Sequence, residues 1–385
     1  MKKILLIVIL LFSFLFPFSN AFASSNPFSK PNNFFGIHIL STNELAKSSE
    51  LVNTSGGDWG YVAIPIQVGD KDIEKWQKFM NDAYDLHLIP ILRLATESYH
   101  KETSVWRKPT EADILDFANF LNSLHWPIKN RYVILFNEVN RYDEWGGEAP
   151  DPARYAEIAE YAADAFKNTN PDFFVILGGL DNAAPNMPNK YIDNLVFLRL
   201  MYESRPNVFN KIDAISSHSY PNPNFADNPN DYKTDSVATY KFEARLIDSY
   251  TTSRKPIFIT ETGWNGDVLS PETISTYFTT AFSTIWGKDA DRIVAVTPFL
   301  LESQNGQYDK FSFLHNNQFT AFGKTIQKIL KVKGKPETTP PPPLLEQKEN
   351  TVLGVRDFRN ALHAKVVINK FDKLVAFYFK SILGI

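Results

Sequence analysis

Eight short apolar runs recur along the middle of this sequence, separated by longer amphipathic stretches, and this alternation constrains the fold more than any other feature. The runs are 34–40 (FFGIHIL), 60–66 (GYVAIPI), 88–94 (LIPILRL), 132–136 (YVILF), 173–177 (FFVIL), 212–216 (IDAIS), 256–260 (PIFIT) and 293–297 (IVAVT). Near-continuous apolar character suits parallel strands buried on both faces. Helical periodicity marks 73–86, with Trp76, Phe79, Met80 and Ala83 on one stripe, and also 111–124, 152–167, 237–250 and 271–285. Asp70, Thr110, Asp151 and Ser270 stand where helix N-caps are expected, and Asp113 follows Thr110 at capping-box spacing. Eight strand-helix units over about 300 residues are the size of a (β/α)8 barrel, an α/β fold. The competing arrangement is an open doubly wound sheet, but no Gly-x-Gly-x-x-Gly turn follows the first run. Pro65, Pro90 and Pro298 are expected at strand ends or bulges, because proline donates no ladder hydrogen bond.

The two ends read differently from the middle. Lys2 and Lys3 precede the apolar run 4–16, and small residues lead to Ala21-Phe22-Ala23. This is the pattern of a secretory signal over 1–23, with an uncleaved N-terminal anchor as the alternative. Either way the chain is expected outside the cytoplasm, secreted or held in the cell envelope. Five of the eight residues 336–343 are proline, so 334–350 is expected to be a semi-rigid linker after a barrel over 24–333. The tail 351–385 carries six Lys/Arg and two Asp, a net +4. Phe371, Leu374, Val375, Tyr378 and Ile382 recur there at helical spacing. Such a stripe either packs against the barrel or lies on an anionic membrane surface. The whole chain has 40 Lys+Arg against 43 Asp+Glu, which argues against a nucleic-acid partner. It contains no cysteine, which excludes disulfides, thiol nucleophiles and cysteine-ligated metals.

In a (β/α)8 barrel the reactive groups stand at the carboxyl ends of the strands. The fourth run ends in Asn137-Glu138, the sixth leads to Ser217-His218-Ser219-Tyr220-Pro221, and the seventh ends in Thr260-Glu261-Thr262-Gly263-Trp264. The third run ends near Arg93, His38 lies on the first, and Phe299 follows the eighth. A carboxyl held directly after an apolar strand is partly dehydrated, which raises its pKa, and a second carboxylate nearby raises one of the two further. One carboxyl kept protonated beside one kept ionised is the equipment for cleaving a glycosidic bond. Asp181 and Glu302 could join the two glutamates and His218 in a metal cluster, but no His-x-x-x-His or similar ligand spacing appears, and no metal or cofactor is expected. Trp106, Tyr142 and Trp145 lie in the loops after the third and fourth runs and are candidates to line a groove.

Taken together, Asn137-Glu138, Ser217-His218-Ser219-Tyr220-Pro221 and Ile259-Thr260-Glu261-Thr262-Gly263-Trp264, in that strand order, resemble glycoside hydrolase clan A, the retaining (β/α)8 glycosidases. The resemblance covers roughly residues 33–331. It implies Glu138 as general acid/base and Glu261 as nucleophile. It also implies that Asn137 bonds a sugar hydroxyl and that His218 and Tyr220 flank the carboxylates, Tyr220 holding Glu261. Trp264 would offer a stacking face, and Arg93, His38 and Phe299 complete the expected substrate-binding set. Three departures stand out: Val139 where many members have proline, Gln67 and no arginine ending the second strand, and Phe299 where a tryptophan commonly follows the eighth. A catalytically silent glycan-binding barrel and a transglycosylase using the same glutamates are therefore the alternatives to a hydrolase. The expected partner is a carbohydrate, oligomeric or polymeric, and the expected state is a monomer.

Overall fold

The computed structural model describes residues 24–98, 105–303 and 306–341. The proposed leader and the basic tail with its stripe lie outside the described residues. Eight parallel strands follow one another around a single sheet in sequence order: β1 (Gly36–His38), β2 (Gly60–Gln67), β3 (Leu88–Ala95), β4 (Arg131–Leu135), β5 (Phe173–Leu177), β6 (Ala214–His218), β7 (Ile257–Glu261) and β8 (Ile293–Val296). The Phe35–Val296 bridge and the bond from the Val296 amide to the Phe34 carbonyl join the last strand to the first. The fold is a (β/α)8 barrel.

Helices cover the strands: α1 (Leu45–Val52), α2 (Ile73–Asp85), α3 (Glu111–Ser123), α4 (Pro152–Thr169), α5 (Asn194–Ser204), α6 (Val208–Lys211), α7 (Thr239–Asp248), α8 (Pro271–Thr280) and α9 (Ala321–Lys328). Their starts follow the side chains. Thr110 accepts from the Asp113 amide while Asp113 accepts from the Thr110 amide, the reciprocal capping box. Asp151 and Ser270 cap α4 and α8, each with proline at the first helical position. The cap of α2 is Asp72 and not Asp70, whose carboxylate pairs with Lys75 instead.

The strands are buried on both faces for a visible reason. Val62, Ile64 and Ile66 point to the helix layer, while Tyr61 and Ala63 point into the barrel. Inside, Tyr61, Tyr132, Phe174 and Phe258 meet edge to face or tilted, with ring centroids 5.1–6.5 Å apart. This aromatic floor fills the barrel below the site. Pro65 and Pro90 lie within continuous strands, not at ends or bulges. Both are tolerated because their neighbours are short: β1 pairs only with Tyr61–Ala63, and β4 only with Ile91–Arg93.

Residues 329–341 return across the base of the barrel. Asp58 accepts from the Gly334 amide, Pro31 from Lys335, and Glu337 from Lys129, while the Thr339 amide donates to Pro127. The stretch 334–339, assigned to the linker by its composition, is thus bonded to the barrel. Among the described residues no helix is long and apolar enough to cross a membrane.

Candidate active site

The carboxyl ends of the strands surround a cavity of about 770 Å³. Period-two alternation turns His38, Arg93 and His218 to the barrel interior: Arg93 lines the cavity, and the two buried imidazoles stand behind the glutamates that line it. Glu138 follows β4 in a strained turn: Phe136 (φ 65°) and Glu138 (φ 38°) both adopt left-handed backbone conformations. The turn is held by the bond from the Glu138 amide to the Gly179 carbonyl, 2.9 Å. Glu261 is the last residue of β7 and only 8% exposed.

The two glutamates share their neighbours. His218 Nδ1 lies 2.9 Å from Glu138 Oε1 and 3.9 Å from Glu261 Oε2. Tyr220 donates its hydroxyl to Glu261 Oε2 at 3.1 Å, and Arg93 Nη1 donates to Glu261 Oε1 at 3.2 Å. One oxygen of Glu138 and one of Glu261 lie within 4.8 Å of each other and of His218. His38 Nδ1 stands 3.8 Å from Glu261 Oε1. The His218 ring also explains Gly179: a Cβ there would meet the ring at 2.2 Å.

These contacts drive the two carboxyls apart. Burial raises the pKa of Glu138, with the charges of Asp181 and Glu261 adding to it against the bond from His218. Burial alone would raise Glu261 as well, but His218, Arg93 and His38 outweigh it and hold Glu261 below the ordinary glutamate value. His218 is pushed up: burial opposes its charge, but the two glutamates prevail. Burial takes His38 down to about 4, so that ring is neutral at pH 7. A divalent cation among Glu138, His218 and Glu261 would face the Arg93 guanidinium on the same carboxylate, an unfavourable pairing.

Around this centre Arg93 also donates to Asn137 Oδ1, and Asn137 Nδ2 donates to Glu144 Oε1 at 2.9 Å. Arg141 bonds Asp143 and Asp181 and lies 3.7 Å from Glu138 Oε2. Trp106, Phe225, Phe299, Tyr308 and Phe311 supply apolar walls. Tyr308 and Phe225 escaped the sequence reading because isolated aromatics in polar loops carry no periodic signal.

Most of the expected site residues converge here: Asn137, Glu138, Arg93, His38, His218, Tyr220, Glu261 and Phe299. Trp264 does not. It is 1% exposed, packs against Phe278 and Trp286, and donates its Nε1 to the Asp227 carbonyl. Gly263 (φ 154°) turns the chain so that the indole enters the helix layer, and no face remains for a sugar. Trp145 is likewise buried, against Tyr155, and Tyr142 packs on Tyr191. Glu302 does not line the cavity. No arginine ends β2; there Pro65 pairs in register with Arg93, whose guanidinium reaches Glu261 from β3.

No protein-family model matches the chain, and no curated protein matches it. Solved structures do. A family 39 glycoside hydrolase from the gut symbiont Bacteroides cellulosilyticus WH2 superposes with a TM-score of 0.55 at 14% identity, over 78% of this chain and 64% of its own. A monomeric beta-xylosidase from Caulobacter crescentus CB15 gives 0.56 at 14% identity, over 78% and 68%. An endo-beta-1,4-glucanase from Xanthomonas axonopodis pv. citri gives 0.52 at 11% identity, over 77% and 98%. The chain has the fold of the (β/α)8 glycoside hydrolases. It spans just under two thirds of the length of the family 39 enzyme. At such low identity the likeness is one of fold, and the chemistry has to be argued from the residues above.

Proposed function

We propose that this protein is an exported, retaining β-glycosidase acting on an oligo- or polysaccharide. The observation that carries the reading is the Glu138–Glu261 pair: oxygens within 4.8 Å, with one carboxyl raised and the other lowered in pKa. Retaining enzymes place the two carboxyls about 5–5.5 Å apart, and inverting ones about 6.5–9.5 Å, to admit a water. The spacing here favours direct attack on the sugar by Glu261.

In the first step Glu138 gives its proton to the leaving oxygen while Glu261 attacks the anomeric carbon. Arg93 and Tyr220 keep Glu261 ionised and aimed. Bond formation removes the Glu261 charge, and with it one of the influences that hold the Glu138 pKa up. The pKa of Glu138 thereby falls, so the carboxylate left by proton transfer stays ionised and is ready to act as the base of the second step. It takes a proton from water, which attacks the glycosyl-enzyme and releases Glu261. The Arg141 guanidinium beside Glu138 steadies the carboxylate once it has lost its proton.

Export is proposed from the Lys2-Lys3 start, the apolar run and Ala21-Phe22-Ala23. The same pair of glutamates also serves transglycosylation, if a second sugar reaches the glycosyl-enzyme before water. The reading is tested by hydrolysing a panel of aryl β-glycosides and following the released sugar by proton NMR. The β-anomer is expected first. The α-anomer first would refute retention, and no turnover of any glycoside, with bound glycan left intact, would favour the silent barrel.

A further inference from the structure

The cleft holds five carboxyls, and four of them have a cation or an imidazole: Glu138 has His218 and Arg141, Glu261 has Arg93, and Asp143 and Asp181 have Arg141. Glu144 differs. Among the described residues no Lys, Arg or His lies within ion-pair distance of it, and Asn137 Nδ2 donates a hydrogen bond to its Oε1. It nevertheless lines the cavity beside the reacting pair. A half-buried carboxyl with a single neutral donor and no cation gains when a further donor reaches its second oxygen.

The loop that presents Glu144 is firmly held. Trp145, the next residue, is buried against Tyr155. Gly146 (φ 74°) and Gly147 (φ 76°) reverse the chain, their amides donating to Trp106 and Tyr142, and the Trp106 amide donates to Asp143. Glu144 is therefore placed by a closed network and does not swing freely at a loop tip. Asn137 is fixed by the same arrangement, with Oδ1 committed to Arg93 and Nδ2 to Glu144.

We propose that Glu144 is a sugar-binding residue of this cleft, its second carboxyl oxygen accepting a hydrogen bond from a hydroxyl or amino group of the ring flanked by Glu138 and Glu261. The proposal rests on the glycosidase reading. The paired arginines make the same ring an uncharged or cationic one, since no free cation among the described lining residues awaits a uronate or sulfate. Burial and the Glu138 charge raise Glu144 to about 7, so the acceptor gains its charge near neutrality. The groups that face it are Glu138, Arg93, Asp143 and Tyr308.

The test uses the full chain carrying Glu261→Gln, which binds without turnover, on an array of β-linked oligosaccharides of glucose, xylose, mannose, galactose and glucosamine. The best-bound oligosaccharide is then titrated calorimetrically against the same chain with Glu144→Ala or Glu144→Gln added. Alanine should weaken binding about tenfold or more. Glutamine keeps an acceptor oxygen, so it should cost a neutral oligosaccharide only a few-fold and a glucosamine oligomer about tenfold or more. Affinity should rise with pH between about 5.5 and 8 in the parent, and that Glu144-dependent part of the slope should vanish with glutamine. If alanine disturbs folding, the glutamine pH comparison decides. Equal affinity and equal pH slope in all three proteins would overturn the proposal while leaving the glycosidase reading standing. No binding by the parent to any sugar would overturn both.

Discussion

Replacing Arg93 by methionine should move the acid limb of the pH–rate profile upward. Arg93 Nη1 lies 3.2 Å from Glu261 Oε1, and both side chains are largely buried. At that distance, with an effective dielectric constant of 20, the bare attraction is about 5 kcal/mol. Much of it offsets the cost of burying the charges, and an arginine beside a carboxylate usually leaves a net lowering of about 1–3 pKa units, or about 1.4–4 kcal/mol. Glu261 must be ionised to attack, and it is now held below its ordinary value. Without Arg93 its pKa rises, so the fraction ionised falls first on the acidic side. The acid limb of kcat/KM should therefore shift up by about 1–3 pH units, with the basic limb, set by Glu138, much less affected. Arg93→Lys keeps the charge but loses the planar fork that serves Asn137 and Glu261 together. It should leave the limb near its original place while lowering the rate. An aryl glycoside that the wild-type protein turns over supplies the assay. An unmoved acid limb in Arg93→Met, or one displaced to lower pH, would refute the reasoning.

Other consequences are as direct. Glu138→Ala should lower kcat by about 10²–10⁴-fold for poor leaving groups, much less for a dinitrophenyl glycoside, and added azide should restore turnover; equal losses for good and poor leaving groups would contradict an acid role. Gly179→Ala puts a Cβ 2.2 Å from the His218 ring, so it should destabilise the fold by about 1–3 kcal/mol and free Glu138 from its 2.9 Å contact, seen as a lower melting temperature and an altered basic limb. Ending the chain at Val332 should lower the melting temperature more than ending it at Pro341, because only the shorter chain loses the bonds to Asp58, Pro31, Lys129 and Pro127; equal melting temperatures would deny the strap a structural part.

The strands were legible because each is buried on both faces, which leaves a run of apolar letters with few interruptions. The same rule found Glu138, Glu261, His218 and Arg93, since a polar residue at the end of such a run has no reason to be there except the barrel mouth. The helix α5, NLVFLRLMYES, was passed over although Asp193 caps it, because Phe197, Leu198 and Met201 form its buried stripe among other apolar residues that blur the period. The short helices α1 and α9 carry Ser48 and Gly323, which weaken the helical signal. Trp264 was misplaced for want of backbone geometry: next to Glu261 in sequence, it is turned away by Gly263. Glu144 looked like any acid in a polar loop, and only the packing of Trp145 shows it facing the cleft. Arg93 could be seen at a strand end, but its reach to Glu261 depends on the register of β2 against β3, which the letters do not encode.

The central claim is that Glu261 forms a covalent bond to the sugar, and trapping tests it most directly. The full chain is incubated with activated 2-deoxy-2-fluoro β-glycosides of several sugars, and the intact protein is weighed. The account predicts a mass gain of one fluorosugar, mapped by peptide sequencing to Glu261 and absent from Glu261→Gln. A label on another residue, or one that persists in Glu261→Gln, would contradict it.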